Sequence, residues 1–371
     1  MREQISRLGD EVVDIYAYGN TTNRVADNDR RVREYSVRQK GYLKFPFGRF
    51  NPCVSMLNLH IMKKSNRKLA AIIDAGGYDA VLVHSCFTTQ TPPILQYLRT
   101  PSVYYCHEPL RGVHEALISG GPFVPWFAPA SMLLRRMAAA SEYNGLRSAT
   151  RVLCNSHFVR ETLLRIYGVD SEVNYLGVDT SVFHPLDVER EHAVVSVGAM
   201  APFKCHEFII ESISRIPSAK RPLLRIVCGR YNPGGRIDLE RLCQDKSVAV
   251  EFYPDISDAE LVSIYCRSKA TVYAPILEPF GLVPIESMAC GTPVVAVCEG
   301  GIRETVIDGV TGLLTKRDPD EFADAVTRVV SDPKMIREMG GAGQKDVDKK
   351  WTWDASVSKL RRTLEEVSSS D

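Results

Sequence analysis

No run of 18 apolar residues occurs in the chain, so no transmembrane helix is expected. The opening residues, MREQISRLGDEVVDIY, lack the apolar core of a secretory signal. The ten cysteines include no Cys-x-x-Cys pair, and several, such as Cys106, Cys154 and Cys228, sit inside apolar strand-like runs. That pattern implies buried thiols in a reducing cytoplasm, not a disulfide framework or a zinc site. No Asp-x-Asp is expected at the mouth of a strand, so nothing calls for a divalent metal. No Asp or Glu stands out as a covalent nucleophile. An excess of one charge is also missing, since 46 Lys and Arg face 45 Asp and Glu, and no nucleic-acid partner is expected.

The chain does have the composition of a soluble globular protein, with 44% hydrophobic and 25% charged residues. Its 371 residues suit two domains of ordinary size. The balanced charge hides an asymmetry: residues 1–188 carry 22 basic and 17 acidic residues, the remainder 24 and 28. Residues 30–68 hold eleven basic residues and one acid, Glu34, together with the aromatic stretch GYLKFPFGRF.

Residues 193–330 alternate strand-like and helix-like segments. Strands are expected at Val194–Val197, Leu223–Cys228, Val248–Phe252, Ala270–Tyr273 and Val294–Val297. Helices are expected at Lys204–Arg215, around Leu239–Gln244, and at Ser257–Arg267, where a Ser cap precedes acids in the first turn. Such alternation with β-branched strands implies an α/β fold with a parallel sheet covered on both faces. The first half is less regular, with strands expected at Val12–Tyr16, Ala80–Val83, Ser102–Cys106, Arg151–Cys154 and Val173–Tyr175. Helices are expected over 60–75, 126–147 and 156–167, and a final helix over 346–371, near Trp351 and Trp353.

The most informative segment is EPFGLVPIESMACGTPVVAVCEGGIRETVIDGVTGLL, residues 278–314. Glu278 and Glu286 bracket a loop, Pro279-Phe280-Gly281, that should open a helix at about Leu282. A helix start offers unpaired backbone N–H groups and the positive end of a dipole, which suits a phosphate. Carboxylates accept hydrogen bonds from the hydroxyls of sugars and riboses. One short segment is thus suited to a sugar, a diphosphate and a ribose. Lys204, in VGAMAPFK, follows a strand and is expected to open a helix, a place and charge that fit a pyrophosphate.

These motifs resemble the donor site of the retaining nucleotide-sugar glycosyltransferases of family 4, which have the GT-B fold. The matching elements are Glu278, Glu286, Gly291-Thr292-Pro293 and Gly300-Gly301. Residues Gly177-Val178-Asp179 and Phe183-His184-Pro185 resemble that family's interdomain segment. The resemblance implies two Rossmann-like doubly wound domains facing a cleft. An N-terminal acceptor-binding domain would span 1–188, a C-terminal nucleotide-sugar domain 189–345, and a helix over 346–371 would return to the first domain. It implies hexose transfer with retention through a front-side route, without metal or cofactor, from a UDP- or GDP-linked sugar to a glycan or lipid-linked acceptor.

The resemblance assigns catalysis to His107, Lys204 and Glu278, and donor binding to Gly198, Lys204, Glu278, Phe280, Gly281, Leu282 and Glu286; Arg230, just after Gly229 at the end of Leu223–Cys228, is added as a nucleotide or phosphate contact from its place. Two departures stand out. The family's Gly-Arg-x-x-Pro-x-Lys-Gly element here has Ala199 for Arg and Cys205 for the last Gly. The sequence also opens where the family's first strand and glycine loop have already passed, as a displaced start site, a truncation or a decayed gene would produce.

His84 also follows a strand, and Asn155-Ser156 is expected to cap the next helix. Ala199 and the missing strand favour a rival reading, a non-catalytic GT-B partner or scaffold protein. Another enzyme of the same fold, a phosphorylase or epimerase, fits the Glu278/Glu286 element poorly. Residues 120–136, GGPFVPWFAPASMLLRR, place Phe123, Trp126, Phe127, Met132, Leu133 and Leu134 against Arg135 and Arg136. They suit docking on the cytoplasmic face of an anionic membrane. They equally suit a core or acceptor-cleft lining beside a solvated charged face.

Overall fold

The computed structural model describes residues 2–8, 12–18, 32–37, 52–86, 89–111, 128–229 and 233–369. Arg230, the aromatic stretch 41–50 and the cluster Phe123, Trp126 and Phe127 lie outside them. The chain divides into two compact units, Met1–Tyr175 with Ser356–Asp371, and Leu176–Ala355.

In the first unit, α1 (Arg2–Ser6) precedes β1 (Val13–Tyr18) and β2 (Val32–Val37), which pair in parallel. Strand β2 falls within the basic stretch, where no strand was expected. Next come α2 (Pro52–Asp74), β3 (Val81–His84), β4 (Ser102–Cys106), α3 (Ala128–Ser148), β5 (Arg151–Cys154), α4 (His157–Tyr167) and β6 (Glu172–Val173). Strands β3 to β6 form a parallel sheet in sequence order. Tyr104 and Cys106 of β4 and Val152 and Cys154 of β5 pack with Leu69 and Ile73 of α2, Leu146 of α3 and Val159 and Leu163 of α4. Ser156 caps α4, its hydroxyl accepting from the Val159 N–H at 3.0 Å, while Gly168 ends it in the left-handed conformation.

The second unit begins with β7 (Ala193–Val197), α5 (His206–Arg215), β8 (Leu223–Cys228), α6 (Pro233–Asp245), β9 (Val250–Pro254), α7 (Asp258–Arg267) and β10 (Ala270–Tyr273). It continues through α8 (Leu282–Ala289), β11 (Val294–Val297), α9 (Ile302–Thr305), β12 (Gly312–Thr315), α10 (Pro319–Ser331) and α11 (Pro333–Lys350). Its six strands are ordered β12-β11-β10-β7-β8-β9, and every neighbouring pair is parallel.

Successive strand residues serve opposite faces, as the period of two requires. Val194 and Ile226 join Ile209, Ile210 and Ile213 of α5 and Val326 and Val329 of α10. Val195 and Val227 instead join Val262 and Tyr265 of α7 and Cys290. Both faces are therefore covered, which explains why these strands read as unbroken apolar runs. Ser257 and Glu260 form a reciprocal capping box at α7. Asp318-Pro319-Asp320 does follow a strand, contrary to the expectation of no such motif there, but Asp318 caps α10 through the Asp320 and Glu321 N–H groups.

The C-terminal segment differs from the single helix expected over 346–371. Helix α11 ends at Lys350, and a second helix, α12 (Trp353–Ser368), starts after a break at Trp351 and Thr352. Trp351 is buried; its indole N–H donates to Asp346 at 2.8 Å, and its ring meets Phe280 edge-on at 5.7 Å. From Ser356 onward α12 belongs to the first unit, where Lys359 donates to the Val173 carbonyl at 2.6 Å. Residues 177 and 178 stay with the second unit: the Val178 N–H donates to the Trp351 carbonyl at 2.8 Å, and a Cβ on Gly177 would meet Trp353 N at 2.2 Å.

Candidate active site

The order of the second sheet reverses between β7 and β10. Chains wind outward from β7 through β8 and β9 on one side, and from β10 through β11 and β12 on the other. Loops leaving the carboxyl ends of β7 and β10 therefore diverge and leave a crevice, the usual ligand site of a doubly wound sheet. Lys204 lies on the first loop and Glu278 on the second. The Lys204 ammonium donates to Glu278 Oε2 at 2.8 Å, and both side chains are less than one-fifth exposed. The loops are also tied by the Ile276 N–H, which donates to the Phe203 carbonyl at 2.9 Å.

Lys204 does not open a helix, as the sequence led us to expect. It ends a 3-10 turn, Pro202–Lys204, and α5 begins only at His206. Between them Cys205 has φ 55° and ψ 41°, the left-handed conformation. This is why glycine is the natural occupant of the position. The Lys204 stem passes beside Gly198, where a Cβ would meet its methylenes at 3.4 Å, an ordinary van der Waals contact. On the opposite loop Leu277 has φ 46°, so each member of the ion pair adjoins a non-glycine residue held left-handed. Such conformations cost about 1–3 kcal/mol each and persist where the surroundings over-determine them.

The Glu278 loop is held from behind by Gly300-Gly301. A Cβ on Gly300 would lie 2.3 Å from the Glu278 carbonyl oxygen, and one on Gly301 would lie 2.4 Å from that of Pro279. The Gly301 N–H donates to the Glu278 carbonyl at 2.7 Å. Arg317, which the sequence did not flag, secures the same loop. It pairs with Glu299 at 2.7 Å and donates to the carbonyls of Ala274 and Pro275 at 2.9 and 3.0 Å.

Helix α8 starts at Leu282, with Gly281 at φ 109° and no capping side chain. The Phe280 side chain is buried against Trp351, so what it can offer a ligand is its backbone. Glu286 stands one turn into α8, where its carboxylate accepts from the Tyr265 hydroxyl at 3.1 Å. Burial pushes its pKa up to about 7, with Asp258 adding to the rise and the Tyr265 hydrogen bond opposing it. Tyr273, the last residue of β10, is buried beside Glu278 and Glu286; burial and the two carboxylates raise its pKa, keeping it a phenol. Neither tyrosine was singled out from the sequence, where each reads as an apolar core position.

His107 follows β4 in the first unit, and the structure brings His84 to it. His84 Nδ1 lies 3.3 Å from His107 Nε2. The His107 backbone is clamped on both sides: its N–H donates to the Ser85 hydroxyl at 3.2 Å, and its carbonyl accepts from Asn155 Nδ2 at 2.9 Å. Ser156 alone caps α4, so Asn155 is spent on His107. Burial pushes the His107 pKa down to about 4. Three adjacent strand ends, those of β3, β4 and β5, thus converge on one histidine. Among the described residues no cluster of three or more His, Cys, Asp or Glu is placed to hold a metal ion.

Comparisons with known proteins bear on the fold and the class. The model for "Glycosyltransferase Family 4" matches residues 3–182, and that for "Glycosyl transferases group 1" matches residues 179–346. The D-inositol 3-phosphate glycosyltransferase of Thermomonospora curvata is 28% identical over 317 residues, 77% of this chain and 71% of that protein. The Frankia alni protein of the same name is 32% identical over 215 residues, 52% of this chain and 53% of that one. Sucrose-phosphate synthase from Thermosynechococcus elongatus superposes with a TM-score of 0.78 at 21% identity, covering 100% of this chain and 92% of that one. Anabaena HepE, solved with UDP-glucose, superposes with a TM-score of 0.68 at 19% identity, covering 91% and 86%. The structural likenesses establish the GT-B fold, and the sequence matches make the chain a glycosyltransferase enzyme. The two models, matching successive halves of the chain, and these relatives together support a family 4-like glycosyltransferase.

The strain at Cys205 can be measured. A non-glycine residue in the left-handed region costs about 1–2 kcal/mol, so Cys205→Gly should raise unfolding stability by about 1 kcal/mol. The check is a denaturant titration, in which the midpoint should rise with the slope unchanged.

Proposed function

We propose that this enzyme moves a hexose from a UDP- or GDP-linked sugar to a glycan or lipid-linked acceptor, retaining the anomeric configuration and needing neither metal nor cofactor. The observation that carries this reading is the cation–carboxylate pair at the strand-order reversal, beside the uncapped start of α8. In it the diphosphate lies at Lys204 and the α8 N–H groups, Glu286 accepts from the ribose hydroxyls, and Glu278 and His107 meet the sugar. The bond from the anomeric carbon to the phosphate oxygen breaks, and its electron pair stays on the phosphate. Lys204 and the helix start stabilise that charge where it develops. The acceptor oxygen bonds the anomeric carbon on the same face, and its proton passes to the departing phosphate. Glu278 and Glu286 act as hydroxyl clamps in this scheme, not as the acid and nucleophile of a hydrolase.

HepE was solved with UDP-glucose, which supports a UDP-sugar donor here. A donor-hydrolysis screen over UDP- and GDP-sugars tests the reading directly, with hydrolysis of one of them expected. Glu286→Ala should weaken nucleoside diphosphate binding about tenfold, the scale of a lost charged hydrogen bond; unchanged affinity in a folded mutant would refute the ribose assignment.

The raised pKa of Glu286 adds a pH signature. Below about 7 the group is a neutral acid and a poorer acceptor, so nucleotide affinity should tighten as pH rises from about 6 to about 8. Calorimetry on wild type and Glu286→Gln would show it, because the mutant lacks that component. Lys204→Ala should lower kcat by about 100-fold, as removal of one oxyanion donor does. A near-normal single-turnover rate would move the phosphate contact elsewhere.

The acceptor reading extends to the membrane. Met132 and Leu133 on α3 are about half exposed, and Arg135 and Arg136 beside them are also exposed. No described helix is long and apolar enough to cross a bilayer, so attachment by this helix would be peripheral, on the cytoplasmic face. Liposome co-sedimentation at low salt should recover the protein with anionic and not neutral vesicles, and salt should release it. Equal recovery in the supernatant with both would end the idea.

A further inference from the structure

His84 is a polar group that the proposed transfer leaves without a task. It is the last residue of β3 and lies in register with Tyr105 of β4, two residues before His107. The His84 and His107 rings are within 13° of parallel, their centroids are 5.6 Å apart, and their facing nitrogens are 3.3 Å apart. That is the spacing of rings joined edge to edge through one nitrogen each, not of rings stacked face to face. Tyr105 packs on both, 4.9 Å from His107 and 5.8 Å from His84.

Burial makes both imidazoles poor proton acceptors, holding His107 at about 4 and His84 at about 3, with His107 itself adding to the depression at His84. At neutral pH both are uncharged, and each carries one proton. A hydrogen bond between them then has two forms. In one, His107 Nε2–H donates and His84 carries its proton on Nε2. That atom is buried and has no hydrogen-bond partner among the described residues, so this form would strand an N–H. In the other, His84 donates from Nδ1 and only a lone pair is left unmatched at Nε2. Stranded buried N–H groups are the rarer and costlier defect.

We propose that His84 is a positioning residue that donates Nδ1–H to Nε2 of His107 and so holds His107 as its Nδ1–H tautomer. His107 then offers its other nitrogen as a donor, matched to a lone pair on a sugar hydroxyl oxygen. The sugar contact rests on the function proposed above; the tautomer does not.

The test is the histidine tautomer in the full-length, ligand-free protein, read by two-bond proton–nitrogen correlation with His107 assigned from His107→Gln. Wild type should show His107 protonated on Nδ1. His84→Asn, whose amide N–H falls near the lost Nδ1–H, should keep that tautomer and most of the turnover. His84→Leu should shift His107 toward the Nε2–H form and lower kcat by about tenfold, with donor KM little changed. A wild-type His107 protonated on Nε2, or a tautomer indifferent to His84→Leu, would overturn the proposal. Full activity in His107→Gln would instead defeat the sugar contact, leaving the tautomer to be judged on the spectrum alone.

Discussion

The Lys204–Glu278 ion pair is the interaction on which the second unit's site is organised. It joins the two loops that the reversal of strand order sets side by side. Neither loop is relaxed: Cys205 and Leu277, next to the two charges, are both left-handed. The surroundings that hold them there are visible. Ile276 bonds to Phe203, Gly301 bonds to Glu278, and Arg317 holds the carbonyls of Ala274 and Pro275. A largely buried ion pair contributes little net stability once its desolvation is counted; its value here is in fixing two polar groups at a defined spacing.

The first unit solves a different problem, holding an imidazole neutral and oriented at a strand end. Desolvation supplies the neutrality. Ser85 and Asn155, just beyond β3 and β5, fix the His107 backbone, and its ring packs on Tyr105, which bonds through its hydroxyl to the Asn174 carbonyl. The parallel register makes this possible, because it brings equivalent ends of β3, β4 and β5 to one edge.

Much of this was legible in the sequence, where the physics is local. Strands β8, β10 and β11, the start of α8 at Leu282, and the caps at Ser156 and Ser257 follow from apolar runs, turn residues and capping chemistry. The spacing of Glu278 and Glu286 announced a polar site. What stayed hidden was non-local. Nothing near Lys204 reveals that Cys205 is left-handed and delays the helix to His206. Tyr265 and Tyr273 look like core residues until Glu286 and Glu278 arrive from elsewhere in the chain. Phe280 looks like part of a ligand loop until Trp351, far along the chain, covers its ring. His84 and His107 are weak signals alone and become one feature only through strand pairing.

The Glu278 loop rests on residues that have no side chains. Gly300 and Gly301 lie against the backbone of Glu278, Pro279 and Phe280. Gly312 lies as close to Val294, where a β-carbon would stand 2.1 Å from the carbonyl oxygen. In a deep mutational scan these three sites would rank with Lys204 and Glu278 in intolerance, although their role is purely steric. Intolerance at this site therefore has two separate origins, chemistry and clearance. They can be told apart by what survives: under the proposed function a lost charge lowers turnover in a protein that still folds, whereas a lost glycine removes the shape on which the charges are mounted.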